Sequence, residues 1–232
     1  MPNKLYLNTD VNPGLHKNIK PMQIAIIGTG NIGSTLARKW SAAGHHIFLG
    51  VRDTNNFKGK ELLSEKNISV HSISQAVEKA EVILIAVVPQ ATHDIVKAMG
   101  DVSGKIIIDT MNSLRTKPEG YNDTFEALKD LCKNAAVIKC FNSTGFENIQ
   151  NPVYPLPGDA PHQVAIDMFV AGSDAKGKQA AIQLSLDAGF AHCYDFGGDD
   201  KVALLEQFAF CWINLAIMQG QGRNMAFKLI KR

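Results

Sequence analysis

From Met22 onward the chain alternates between short apolar runs and longer stretches whose apolar residues recur at helical spacing. MQIAII (22–27) is apolar throughout, as a strand covered on both faces of a sheet must be. After it Leu36, Ala37, Trp40 and Ala43 share one helical face, and Gly44 supplies the stop. HIFLGV (46–51) predicts a second strand, 59–66 a weaker helix, 68–70 a short third strand and 74–80 a helix. EVILIAVV (81–88) is the clearest strand in the chain. The alternation continues with a helix over 92–99, a strand over 105–109, a helix over 125–132 and a strand over 136–141.

Two stretches resist it. Residues 110–122 and 142–163 read as loops, the second carrying Pro152, Pro155, Pro157 and Pro161. Irregular stretches of this length either line a site or are surface excursions. One more strand–helix–strand unit follows at 168–172, 176–187 and 191–196. The helix over 202–218 sets Leu205, Phe208, Ala209, Trp212, Leu215 and Ala216 on one face and Phe210, Ile213 and Ile217 on another. A helix apolar nearly all round must be covered on more than one side. Strands alternating with helices imply right-handed crossovers, hence a doubly wound parallel α/β sheet with a small C-terminal helical element, an argument about fold and not yet about chemistry. The expected organisation is a flexible extension over 1–21, a doubly wound main domain over 22–198 and a helical segment over 199–232.

Composition narrows the function classes. The chain has 232 residues, 45% of them hydrophobic and 20% charged, and a net charge of +2. That size suits one domain with a modest appendage. The near-neutral balance argues against nucleic acid as a partner. The densest basic spot, 228–232, reads as a solvated helix end. No apolar run reaches the roughly 18 residues of a membrane span, so no membrane is expected. Residues 1–21 lack the apolar core of a signal peptide, and Met22 offers an alternative start. Four cysteines without C-x-x-C spacing point to reduced thiols, a cytoplasmic location and no metal site.

The chemistry concentrates at Gly28-Thr29-Gly30-Asn31-Ile32-Gly33. This G-x-G-x-x-G run follows a buried strand directly and opens an amphipathic helix, the context that separates a phosphate-binding turn from a chance match. Gly28 permits the turn, Gly30 leaves room for a pyrophosphate and Gly33 lets helix and strand approach. The Asn31 and Ile32 amides then face the phosphates from the positive end of the helix. A plain β–α turn is the alternative.

Counting on to the second strand lands near Asp53, an NAD-like carboxylate. The strand register instead places Val51 at the ribose-facing end, with Arg52 next, a planar cation suited to a 2′-phosphate. The cofactor expected is therefore NADP(H), with Lys58 a candidate second phosphate contact. Ligands of such sheets lie beyond the carboxyl ends of the strands. There Ala86, Val87, Val88 and Pro89 form an apolar shelf for ribose and nicotinamide. Asn112, Asn142 and Thr144 offer polar groups for a carboxamide or substrate, or serve as turn residues. Residues 172–179 nearly match a P-loop but have Gln179 where the magnesium-binding hydroxyl belongs. No Lys or His–Asp constellation stands ready to protonate a carbonyl, so no catalytic residue is assigned; His93 is a weak candidate acid.

The run IGTGNIGSTLARKWSAAGH, then GVRD, AVVP, DTMN and KCFNSTG, resembles the NADPH-dependent deazaflavin (coenzyme F-420) reductase family, which includes the cytosolic domain of STEAP-type metalloreductases. The similarity extends over roughly 22–232. It implies NADP contacts at Thr29, Gly30, Asn31 and Ile32, a 2′-phosphate arginine at Arg52, and cofactor contacts at Val87, Val88 and Pro89. Val51 departs from the hydroxyl residue often found there. The family moves hydride directly between nicotinamide and a flavin-like ring, which agrees with the missing acid–base residues. Three functions remain open. They are an NADPH oxidoreductase with a flavin or deazaflavin acceptor, a dehydrogenase or imine reductase of a small metabolite, and a non-catalytic NADP-binding module. A homodimer built on the C-terminal helix is expected from its apolar faces, with Phe208, Phe210 and Trp212 as anchors.

Overall fold

The computed structural model describes residues 20–155 and 163–231. The expected flexible extension lies almost wholly outside the described residues, as do Pro157 and Pro161. Ten strands form: β1 (Gln23–Ile27), β2 (His46–Val51), β3 (Ile68–Ser72), β4 (Val82–Ile85), β5 (Ile106–Asp109), β6 (Ala136–Cys140), β7 (Val153–Pro155), β8 (Gln163–Ala165), β9 (Met168–Ala171) and β10 (Cys193–Gly197). Seven α-helices accompany them: α1 (Asn31–Ala42), α2 (Ile73–Lys79), α3 (Thr92–Met99), α4 (Thr124–Leu131), α5 (Phe146–Gln150), α6 (Ala175–Asp187) and α7 (Val202–Ile213).

Eight strands make one sheet in the order β10-β9-β6-β5-β4-β1-β2-β3. Apolar residues alternate between its two faces, so each strand feeds two cores. Ile24 and Ile26 join Leu36 and Trp40 of α1 and Leu184 of α6 on one side. Ala25 and Ile27 join Ile73, Ile95, Leu128 and Leu205 of α2, α3, α4 and α7 on the other. Strands β1 to β6 run parallel, and their order reverses direction between β1 and β4. That switch point is where such sheets open a crevice for a ligand.

The sheet departs from the expected parallel arrangement at one margin, where β9 runs antiparallel to β6 and β10 runs parallel to β9. Direction is invisible in an apolar run, because both senses bury the same side chains. The proline-rich stretch after β6 is also less irregular than expected, holding α5 and the small antiparallel pair β7–β8. The stretch near residue 60 forms a 3-10 turn, Lys60–Ser64, in place of a helix. β4 stops at Ile85, short of the apolar run predicted to continue to Val88. Pro89 lacks an amide donor and holds Val88 extended, turning the chain off the sheet.

At the C-terminal end a 3-10 turn, α7 and one wide turn make a continuous helical stretch, Asp199–Met218, whose most apolar 18 residues have mean hydropathy 1.4. By length and composition this stretch could span a membrane, contrary to the sequence expectation; a core helix meets the same criterion. Here Val202, Leu205, Ala209 and Trp212 are buried against the protein. The basic residues near the end are not a solvated helix terminus. From Gln219 the chain runs as an irregular strap. Lys228 Nζ donates to the fully buried carboxylate of Asp167 at 2.7 Å, and the Leu229 amide donates to its other oxygen at 2.8 Å. The strap also accepts the Trp212 indole N–H at the Met225 carbonyl, 2.6 Å away.

Candidate functional site

The turn between β1 and α1 is shaped by three glycines with different tasks. Gly28 has φ +102°, and a Cβ there would lie 2.3 Å from the Ala86 carbonyl oxygen. A Cβ on Gly33 would lie 1.9 Å from the Gly28 carbonyl oxygen. Only glycine fits at both places. At Gly30 nothing stands within 4 Å of such an atom. The first two positions therefore serve the fold, while the third faces open space of the kind a pyrophosphate fills. Helix α1 starts immediately after it with no side-chain cap. Its leading amides and positive dipole end are thus available to an anion.

A cleft of about 790 Å³ spreads from this turn across the ends of β1, β2 and β4. Gly28, Thr29 and Gly30 form its floor. One wall carries Val51, Arg52, Asp53 and Lys58, and the other carries Ala86, Val87 and Val88. Arg52 and Lys58 are exposed cations beside buried Val51. Asp53 is engaged locally, its Oδ1 accepting the amides of Asn55 at 2.9 Å and Asn56 at 3.3 Å. These residues fit an NADP dinucleotide: a cradle for the pyrophosphate, a cation at the 2′ position and an apolar shelf beyond.

Four sequence-predicted residues stand off the cleft wall. Asn31 and Ile32 are the first two residues of α1, with Ile32 partly packed on the core. Pro89 is buried in the turn after β4. Asn112 lies beyond β5, where its Nδ2 donates to the Asn142 carbonyl at 3.4 Å. His93 Nε2 donates to the Glu119 carbonyl at 2.9 Å and packs on the Tyr121 ring, away from the cleft. Sequence reasoning missed Phe57, Ile73, Asp94, Ile95 and Ala98, which also line the cleft. They come from the loop after β2 and from α2 and α3, whose approach is decided by packing rather than by a motif.

It also missed the partner of Lys139. This lysine is fully buried and donates to Asp109 at 3.0 Å, to Glu206 of α7 at 2.6 Å and to the Met111 carbonyl at 2.7 Å. Burial opposes its charge, but the carboxylates of Asp109 and Glu206 outweigh that and hold its ammonium above the usual lysine value. Asp109 also accepts the Thr124 hydroxyl at 2.6 Å and the Met111 amide at 2.9 Å. The cluster thus pins both backbone groups of Met111 and leaves neither Asp109 nor Lys139 free for proton transfer. In the P-loop-like stretch, Asp174 caps α6 through the Gly177 amide, and Gly172 and Gly177 clear the side chain of Ile138. Those glycines serve packing. Among the described residues no three His, Cys, Asp or Glu side chains converge to hold a metal.

A glycine turn at the switch point of a mostly parallel sheet, with a cation at the end of the neighbouring strand, defines a Rossmann-type dinucleotide-binding protein. The family resemblance read from the sequence holds over residues 23–113, which match the family described as NADP oxidoreductase, coenzyme F420-dependent. A glycerol-3-phosphate dehydrogenase [NAD(P)+] of Thermoanaerobacter is 24% identical over 79% of this chain and 64% of its own length. The mouse metalloreductase STEAP2 is 22% identical over 75% of this chain and 33% of its own. The chain thus spans between a third and two thirds of these relatives. Among solved structures, a candidate F420-dependent NADP-reductase from Arthrobacter sp. FB24 superposes with TM-score 0.75 at 22% identity, over 90% of this chain and all of that one. A reductive aminase from Aspergillus terreus in complex with NADPH gives 0.63 at 16% identity, over 87% of this chain and 64% of that one. The chain is related to NADP-dependent oxidoreductases and shares their fold.

Proposed function

We propose that this protein is an NADP(H)-dependent oxidoreductase exchanging hydride directly between the nicotinamide and a flavin- or deazaflavin-type ring. The observation that carries the reading is the pairing of Arg52 with the open Gly30 cradle in a cleft whose far end is apolar. Bound NADPH supplies the hydride. The chain's own residues bind and orient: Arg52 and Lys58 hold the 2′-phosphate, Thr29, Gly30 and the leading amides of α1 hold the pyrophosphate, and Ala86 to Val88 present a dry surface to ribose and ring. Direct transfer to a ring acceptor needs no protein acid, and Lys139, buried near these strand ends, is already saturated by carboxylates.

The test is NADPH oxidation screened against flavins, a deazaflavin, ferric chelates and small carbonyls or imines. Turnover with a flavin-like ring supports the reading; turnover with carbonyls or imines alone replaces it by a metabolite reductase, and tight binding without turnover on any acceptor by a binding module. A cytoplasmic setting and a homodimer built on α7 belong to the same proposal. Trp212 and Phe208 are spent inside the subunit, on the Met225 carbonyl and on Phe169 and Phe227. Leu204, Leu215, Ile217 and Met218 are the large apolar residues that remain exposed on this stretch.

A further inference from the structure

Beyond β5 and β6 the same sheet edge carries two side-chain amides with unmet hydrogen bonds. Neither Nδ2 nor Oδ1 of Asn142 has a partner, nor has Oδ1 of Asn112, although all three atoms are buried and Asn142 is only 4% exposed. Buried amides are almost always paired, and each exception calls for a physical reason. The backbone leading to Asn142 is strained as well. Phe141 has φ +62°, the sole left-handed non-glycine residue among those described. An aromatic residue rarely adopts that conformation. It persists because the Phe141 ring is locked in the core, edge-on to Trp40 at 5.6 Å. The Asn112 side is fixed too, since Asp109 and Lys139 hold both backbone groups of the preceding Met111. Strain and unpaired polar groups that coincide mark a site rather than a packing accident.

We infer that Asn142 and Asn112 form a receptor for a primary carboxamide, that of the nicotinamide. This rests on the NADP(H) reading above. The count of groups selects the ligand. The pair offers one NH2 and two carbonyl oxygens, the complement of one C=O and one NH2. Asn142 Nδ2 donates to the ligand oxygen, while Asn142 Oδ1 and Asn112 Oδ1 accept its two N–H bonds. The imide edge of a flavin-like ring has two C=O groups and one N–H, which leaves one of these oxygens unmet. Position agrees with the count. The cleft runs from Arg52 at β2, past β1, to β4, and adjacent strands lie about 4.8 Å apart. A dinucleotide following that line next reaches β5 and β6, where the amides wait. All three atoms are shut off from solvent, so the carboxamide enters by displacing what covers them.

The test titrates the wild type and Asn142→Ala with three probes: NADPH, its 3-acetylpyridine analogue, and 2′-phospho-ADP-ribose, which lacks the nicotinamide. Asn142→Ala is expected to weaken NADPH roughly ten- to thirty-fold, the weight of two neutral hydrogen bonds, and to leave 2′-phospho-ADP-ribose unchanged. The wild type should favour NADPH over the analogue, and the variant should lose that preference. The ligand-free variant should melt no lower than the wild type, since truncation removes unpaired groups. Unchanged NADPH affinity, or equal loss for 2′-phospho-ADP-ribose, overturns the inference; so does a rise in KM for the ring acceptor with NADPH binding intact. If Asn142→Ala does not fold, Asn112→Ala answers the same question with a several-fold loss confined to NADPH. A wild type that binds none of the probes refutes the NADP(H) reading itself.

Discussion

At the scale of single residues, the cleft separates positions that build the turn from positions that meet the ligand. Arg52→Ala should weaken NADPH by about 1.5–3 kcal/mol, as for a lost charged hydrogen bond, and leave NADH nearly untouched. Equal losses in parallel titrations would show that the arginine reads something other than the 2′-phosphate. The glycines give a sharper contrast. Gly30→Val places its side chain in open space, so the variant should melt like the parent and yet fail to bind NADPH. Gly33→Val drives atoms into the Gly28 carbonyl, so it should unfold at markedly lower temperature whether or not cofactor is present. Thermal melting with and without NADPH distinguishes the two. If Gly30→Val binds normally, the loop is only a turn.

At the scale of elements, α7 is tied to the sheet through charge. Removing Lys139 leaves Asp109 and Glu206 buried without their cation, and breaking such a pair typically costs about 3–5 kcal/mol. Lys139→Met should show that loss in chemical denaturation near neutral pH. The sign of its pH dependence follows from the groups left behind. Burial already raises the Glu206 carboxyl, with Lys139 partly opposing it. Without Lys139 the Glu206 carboxyl should take a proton more readily, so the variant should recover stability as the pH falls through its range. In the wild type the Lys139 ammonium is held above 10.5, and its contribution should persist below that value and fade as the pH rises through the raised one. A pH-independent deficit would argue against a charge origin.

These elements also show what the sequence could reveal. Strands β1, β4 and β5 and the glycine turn were legible because apolar runs and a spaced motif are local facts. The place of Arg52 just past the end of β2 was legible because strand register is local as well. Glu206 was not, since it lies 67 residues from Lys139 and meets it only after α7 docks. The reversal of β9 and the left-handed Phe141 were equally hidden, because neither changes which residues are apolar.

At the scale of the whole molecule, the dimer expectation becomes specific. With Trp212 and Phe208 consumed internally, contact between copies should rest on Leu204, Leu215 and Met218. Sedimentation should give a species of twice 25.3 kDa, and Leu215→Glu with Met218→Glu should convert it to that single mass. A monomeric wild type, or a dimer indifferent to these changes, places the contact elsewhere or removes it. The strand order carries a different consequence. β3 and β10 are the margins of the sheet, while β4 and β5 lie inside it with neighbours on both sides. Amide hydrogens should therefore exchange slowest in β4 and β5 and fastest towards β3 and β10. On the proposed reading the adenosine half of a bound dinucleotide falls over β2, next to the loose margin, and the nicotinamide half over the slow interior. NADPH should slow exchange most in β2 and the segment behind it, where there is breathing left to suppress. Release should then begin at the adenosine end, so that the reactive ring is the last part of the cofactor to let go.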